Sequence, residues 1–598
     1  VQEGCTVFHV YLLLGDGGVS VHVGGRPEAA WEFVNLSAAR DLAVLTGPLP
    51  ASHGCYVAEA VSRILNRLET ARLGRRRLVD ACFREAQRAL PWPGMRGRGR
   101  LLAPVYLEAG RGQATAVLRI QPGVLEATVS GLQGRVLLDE QALKAVAATG
   151  NFSIGQAAPA LDAACAAGLV RFHPAVGIDI MGRYVCNRCG AAGRIYASPC
   201  WRCGMKECHM CSECSSMGPA RECMALYSVP GPGAGRRPGD PDAAGAWAGP
   251  QYDYELTPVQ KAAMEQCKQW YCDGDGGELL VWAVCGAGKT EVAFGAIGEA
   301  LRRGVSAAFA VPRRDVAAEV FQRVQEAFPD VEAAAFFGGS SERRFDSPLT
   351  VLTCHQAMRF VGRFSLAVLD EADAYPYVGS EALAFSLRRS IAPGGKLMIM
   401  TATPSAGHVE MVRSGAIPVV RISARHHCMP LPVPQVDAGR RGAPMEARVL
   451  EAVARSVEAG WPVFVFTPTR ARCMELFSYL SRRLGGVAVD WAHSGRRERD
   501  DVRTRFARGK VQVLVCTSVM ERGVTVAGAD VVVVHADAAR VFDHRALVQM
   551  AGRAGRASSR PEGNVTFVCD AVTPAIRMAV SVIEEMNEHA RAMGYLRA

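Results

Sequence analysis

At 598 residues the chain exceeds what one hydrophobic core supports, and at about 100–200 residues per domain it divides into three or four folding units. Its 49% hydrophobic and 21% charged residues exclude a disordered or fibrous protein, and no apolar run reaches the roughly eighteen residues a membrane-spanning helix needs. A net charge of +10 suits a polyanionic partner without specifying one.

Residues 1–180 alternate short apolar runs with helical stretches and read as an α+β region whose role the sequence does not reveal. The apolar patch VFHVYLLL (7–14) lacks a basic leader and runs into GDGG, so the chain reads as cytoplasmic. The segment ARLGRRRLVDACFREAQRAL, followed by PWPGMRGRGR, could meet phosphates, although a solvated helix face more often explains such a run.

Residues 181–228 form a cysteine module: eight of the twenty cysteines fall between Cys186 and Cys223, a density that favours metal over disulfides in a cytosolic chain. CNRCG supplies Cys186 and Cys189, CWRCG supplies Cys200 and Cys203, CHMCSEC supplies Cys208, Cys211 and Cys214, and Cys223 stands beyond. Each CxxC can present two thiolates to a tetrahedral zinc, and the glycine after CNRC and CWRC suits a tight knuckle turn. Eight thiolates would hold two zinc ions. His209 is the only histidine near the cluster, which argues against a catalytic zinc with an open position, and the CxxC pairs lack the thioredoxin-like context of a redox site. Residues 229–250, rich in Gly, Pro and Ala, read as a flexible linker.

Two series of short apolar strands alternating with amphipathic helices follow, one over 251–432 and one over 433–598. ELLVWAV, SAAFAVP, LTVLTC, FSLAVLD and KLMIMTAT belong to the first; PVFVFTPT, VAVDWAH, VQVLVCTS, DVVVVHA and NVTFVCD belong to the second. The predicted fold is α/β, with two parallel-sheet domains in tandem, and chemistry belongs at the carboxyl ends of the strands. The motifs fall there. In CGAGKT, Gly286, Ala287 and Gly288 form a loop whose amides can hold phosphate oxygens, Lys289 reaches the β and γ phosphates, and Thr290 offers a magnesium ligand. In LAVLDEAD, Asp370 and Glu371 leave a buried strand together; a magnesium ion for Asp370 and a water for Glu371 to polarise give that costly placement a purpose. QMAGRAGR places Gln549, Arg553 and Arg556 in the second domain, where arginines can reach across a cleft to a γ phosphate.

Taken together, LTPVQKAA, AVCGAGKT, AVPRRDV, LTCHQAM, LDEAD, TATPS, FTPTR, VLVCTSVMERGVTV and QMAGRAGR occur in the order of the superfamily-two helicase motifs. The resemblance implies RecA-like domains that hydrolyse ATP. It also implies that Gln260 reads adenine, that Thr401 and Thr403 couple the domains, and that motif residues grip one nucleic-acid strand. By motif position these are Pro312, Arg313, Thr353, His355 and Gln356 in the first domain and Thr467, Thr517 and Arg522 in the second. With a cysteine finger upstream, and with Tyr375 and Pro376 after LDEAD, residues 180–598 resemble the late-competence helicases, the ComFA family. That resemblance implies a single-stranded DNA translocase or helicase that works with the DNA-uptake machinery at the inner face of the membrane. Its finger commonly pairs one early and one late CxxC, which singles out Cys186, Cys189, Cys211 and Cys214. The additional Cys200, Cys203, Cys208 and Cys223 leave zinc number and pairing open. A replication-restart helicase of the PriA type is the nearest alternative, but there the cysteines interrupt the motor, whereas here they precede it. A DEAD-box RNA helicase would show SAT and HRxGRxGR where this chain has TAT and QMAGRAGR. A non-catalytic zinc-dependent scaffold would have no use for intact Lys289, Asp370, Glu371 and Arg556.

Overall fold

The computed structural model describes residues 122–231, 249–518 and 526–597 apart from a few scattered positions, together with six elements and Leu45, Thr46 and Leu49 within the first 121 residues. Most of the linker, the arginine-rich PWPGMRGRGR segment and Arg522 lie outside the described residues.

The first motor sheet has seven strands in the order Ala333–Phe336, Leu349–Thr353, Ala307–Val311, Phe364–Leu369, Ile391–Thr401, Glu278–Ala283 and Val419–Ile422. The second has six: Gln435–Asp437, Val565–Val568, Asp530–Val534, Val463–Phe466, Val513–Cys516 and Val489–Ala492. Every neighbouring pair in both is parallel. Helices cover both faces, so the central strands are buried on both sides and read as unbroken apolar runs; FSLAVL is buried at all its positions.

The cysteine module is an insertion in a smaller unit. Helix Pro122–Leu132, strand Arg135–Leu138, helices Asp139–Gly150 and Ile154–Ala166 and strand Arg171–Pro174 precede it. Strand Ala225–Val229, after the last cysteine, lies between Arg135–Leu138 and Arg171–Pro174 and pairs antiparallel with both. A boundary near 180 therefore falls inside one sheet. This element order is that of a winged helix with the module in place of the wing. Helix Ile154–Ala166, however, is buried along most of its length and carries no Lys or Arg, unlike a groove-reading helix. Farther upstream, a four-stranded antiparallel sheet packs with helices Ala51–Glu69 and Arg75–Ala89 around Val10, Leu12, Val57 and Val79, in keeping with an α+β region.

The unit built by 122–231 is laced to the first motor domain by backbone. Val361 N–H donates to the Gly134 carbonyl at 3.0 Å and Gly231 N–H to the Val361 carbonyl at 3.1 Å. One apolar cluster joins seven of the module's cysteines with Phe360, Phe364, Leu383 and Leu387 of the motor.

Candidate active site

A cavity of about 580 Å³ opens between the two motor domains at the carboxyl ends of their strands. Every residue expected to bind ATP or to act in its hydrolysis lines it: Gln260, Gly286, Ala287, Gly288, Lys289, Thr290, Asp370 and Glu371 from the first domain, and Gln549, Arg553 and Arg556 from the second. Strand Glu278–Ala283 ends in the glycine loop, and helix Lys289–Arg302 starts at Lys289 behind it. Gly288, at φ 78°, is left-handed, and a methyl there would meet the Gln260 amide nitrogen at 2.2 Å, so the loop closes only with glycine.

Lys289 Nζ lies 3.6 Å from Asp370 Oδ1. Burial alone would depress its ammonium, but the neighbouring Asp370, Cys285, Asp373 and Glu371 hold it above its ordinary value, so it is a fixed cation at neutral pH. Burial lowers the Arg556 guanidinium, which is held in place by donating to the Gly552 carbonyl at 2.8 Å. Gln260 does double duty. Its Oε1 accepts from the Thr257 N–H at 2.9 Å, completing the capping box of helix Pro258–Cys272, while its Nε2 donates to the Ala287 carbonyl at 3.0 Å.

The domains communicate through side chains. Asp373 Oδ2 accepts from the Thr403 hydroxyl at 2.8 Å and from Gln549 Nε2 at 3.0 Å, and Gln549 Oε1 accepts from the Cys285 thiol at 3.1 Å. Thr401 supports this chain by accepting the Thr403 N–H at 3.0 Å. Sequence reasoning did not single out Cys285, Tyr254, Glu319, Arg323 or Arg425, all of which line the cavity. Tyr254 donates to Glu291 at 3.0 Å, and Arg323 pairs with the same carboxylate and donates to the Thr290 hydroxyl.

The strand-grip candidates sit apart from this cavity. Arg313 caps helix Arg314–Ala327 and pairs with Asp315 at 3.0 Å beside buried Pro312. His355 and Gln356 follow buried Thr353 and are partly exposed, and Gln356 Nε2 touches the Met217 sulfur of the cysteine module at 3.9 Å. Thr517 lies partly exposed after strand Val513–Cys516. Thr467 has no exposure, and its hydroxyl donates to the Cys516 carbonyl at 3.2 Å, so its side chain shapes the loop and does not face a ligand.

The cysteines form two quartets, each with its sulfurs within 4.8 Å of one another: Cys186, Cys189, Cys211 and Cys214, and Cys200, Cys203, Cys208 and Cys223. Four thiolates tetrahedral about zinc stand about 3.8 Å apart at the usual Zn–S distance. Cys186 to Cys214 and Cys189 to Cys211 measure 3.7 Å, and Cys200 to Cys223 measures 3.9 Å, so the donors fit zinc twice over. Gly190 and Gly204 turn the knuckles at φ 77° and 71°. Buried Arg188 donates to Cys214 Sγ at 2.9 Å and offsets thiolate charge, a contact no motif announces.

The described residues thus define a two-domain helicase motor of the DEAD type. Family models agree: DEAD/DEAH box helicase matches 257–412 and the helicase conserved C-terminal domain matches 446–558. A third, the competence protein ComFA N-terminal domain, matches 128–228. The chain is 32% identical over 417 residues to competence protein ComFA of Bacillus subtilis, covering 68% of this chain and 86% of that protein. It is 29% identical over 392 residues to competence protein ComFA of Streptococcus pneumoniae, covering 64% and 86%. A solved structure of RecG bound to a three-way DNA junction shares 22% identity at a TM-score of 0.41, over 56% of this chain and 45% of that one. The chain belongs to the ComFA family and is an ATP-dependent, competence-associated helicase of superfamily two.

Proposed function

We propose that the protein is an ATP-driven translocase or helicase on single-stranded DNA that draws DNA inward during competence, cytoplasmic and peripheral at the cytoplasmic membrane, where it works with the uptake machinery. The cavity carries the motor half of this reading, since phosphate loop, paired carboxylates and trans-domain arginines converge on one space. Thr290 and Asp370 would hold magnesium, which when bound neutralises phosphate charge. Lys289 fixes the phosphates, Glu371 orients the attacking water and accepts its proton, and Arg553 and Arg556 stabilise charge that develops at the γ phosphate. The Gln549–Asp373–Thr403 chain makes closure depend on residues of both domains.

The contact of Met217 with Gln356 supports a DNA path that continues from the first motor domain onto the zinc module. The two quartets would hold structural zinc. Grip through phosphate and sugar predicts little sequence preference and a steep salt dependence.

The test is steady-state ATP hydrolysis with single-stranded DNA, single-stranded RNA and duplex DNA. Stimulation by single-stranded DNA alone is expected. Equal stimulation by RNA would overturn the DNA reading, and hydrolysis that Lys289→Ala leaves unchanged would overturn the assignment of the cavity.

A further inference from the structure

Among the described residues Arg425 is the largest side chain with almost no exposure, at 1%. It lies just beyond strand Val419–Ile422, where the chain leaves the first motor domain, and it belongs to none of the helicase motifs. Its Nε donates to the Cys285 carbonyl of the phosphate loop at 3.1 Å. Its Nη1 donates to the Ala554 and Gly555 carbonyls at 2.6 and 2.7 Å, and its Nη2 to the Gly552 carbonyl at 3.2 Å. Those three carbonyls belong to the loop that carries Arg553 and Arg556. His427 adds a contact to Gly555 at 3.1 Å.

Two features make this more than a structural tie. First, the planar fork spans both sides of the cleft, and a lysine point charge cannot aim donors at four separate carbonyls. Second, its acceptors are all neutral carbonyls, and no carboxylate pairs with it among the described residues. Burial and the nearby Arg556 cation push the guanidinium down to about 9, which still leaves it charged at neutral pH. Arg425 stands with Lys289, Arg553 and Arg556 in a cavity that Asp370, Glu371 and Glu319 also line, and a nucleotide triphosphate bound there would add anionic charge beside the guanidinium.

We propose that Arg425 is a positioning residue, a clasp that seats the Arg553–Arg556 loop against the phosphate loop and is complete only in the closed motor. Bound triphosphate offsets its charge and so favours closure, because a ligand shifts an equilibrium by its preference for one state. The inference rests on the ATP-driven reading of the cleft.

Arg425→Lys keeps the charge without the fork, and Arg425→Gln keeps a planar donor without the charge. The experiment measures kcat and KM for ATP, melting temperature, and energy transfer between dyes on the two motor domains with and without a non-hydrolysable ATP analogue. In both variants kcat should fall about 10–100-fold, less than the about 100–1,000-fold lost with a donor that itself meets the developing charge, because Arg425 acts only through the loop it seats. KM should move less than kcat, and analogue-induced closure should weaken while the melting temperature stays near that of wild type. Wild-type kcat or wild-type closure in either variant would overturn the clasp. So would a loss of kcat matched in both variants by a large drop in melting temperature, since that marks support of the fold alone. A wild-type protein that closes on the analogue without hydrolysing ATP would count against the hydrolytic reading, and the closure comparison would still decide the clasp.

Discussion

The first motor domain is held on two sides by different means. Toward the 122–231 unit it shares backbone hydrogen bonds, an isolated bridge between Arg135 and Phe360, and a dry cluster of cysteine and phenylalanine side chains. Arg389 adds donors to the Asn187 and Arg188 carbonyls at 3.1 and 2.7 Å. Toward the second motor domain it also shares buried apolar side chains, with Val284, Ala424 and Leu431 in one cluster with Val548, Ala551, Ile583 and Met586, but the hydrogen bonds there are made mainly by side chains and a large cavity interrupts the contact. Dry, backbone-laced contacts separate only with loss of the whole cluster, whereas polar contacts beside a cavity trade readily for water. The cysteine unit is therefore expected to move with the first motor domain, leaving the cavity between the motor domains as the place where they part.

The largest effects should come from the centre of the cleft. Lys289→Ala should lower kcat for ATP by about 100–1,000-fold, as removal of a charge-stabilising group does, while single-stranded DNA binding persists. Loss of DNA binding in parallel, measured by fluorescence anisotropy, would mean the fold had been damaged.

On the rigid side, zinc analysis of the wild type should return two ions per chain, and Cys186→Ser with Cys211→Ser should return one. Because the quartets interleave, Cys186→Ser with Cys200→Ser should instead lose both. The first pair should also weaken DNA stimulation of hydrolysis, since Met217 beside Gln356 follows that quartet. Retention of one zinc in the Cys186→Ser, Cys200→Ser protein would refute the pairing.

Both sheets and the nucleotide cavity were legible because phosphate chemistry confines certain residue types to strand ends, where local spacing displays them. Strands Ala333–Phe336, Val419–Ile422 and Gln435–Asp437 were not anticipated: each is an edge strand of three or four residues, AAAF, VVRI and QVD, too short for periodicity to mark. The cysteine density announced metal, but which CxxC meets which depends on the path of the chain across strands Ile195–Ser198 and Cys208–Cys211. Strand Ala225–Val229 completes a sheet begun at Arg135, a pairing no local window contains. Arg425 and Arg188 act through backbone carbonyls and one sulfur, partners with no residue-type signature.

Two glycines sharpen the contrast at smaller cost. A methyl on Gly552 would stand 2.5 Å from Cys285 Cβ across the cleft, and one on Gly231 would stand 2.5 Å from the Gly362 carbonyl oxygen on the rigid side. Gly552→Ala should slow hydrolysis about tenfold by holding the cleft open, with little change in melting temperature, and Cys285→Gly should restore part of the rate because contacting sites couple. Gly231→Ala should cost about 1–3 kcal/mol of stability, as overpacking does, and leave nucleotide-induced closure intact. Reversed phenotypes would reverse the assignment of the two faces.

The smallest effect concerns Arg313, a candidate for the strand grip. Arg313 is paired with Asp315 at 3.0 Å, an ion pair on a solvated helix start that contributes about 0–1 kcal/mol. Asp315→Asn should thus barely alter the melting temperature, yet it frees Arg313 from an internal carboxylate that competes with phosphate. Affinity for single-stranded DNA should rise, and the slope of log affinity against log salt should steepen by up to about 0.7, the value for one added phosphate contact on a single strand. A flat slope would show that Arg313 stays off the strand, and the proposed grip on the first domain would then rest on His355 and Gln356, beside the cysteine module.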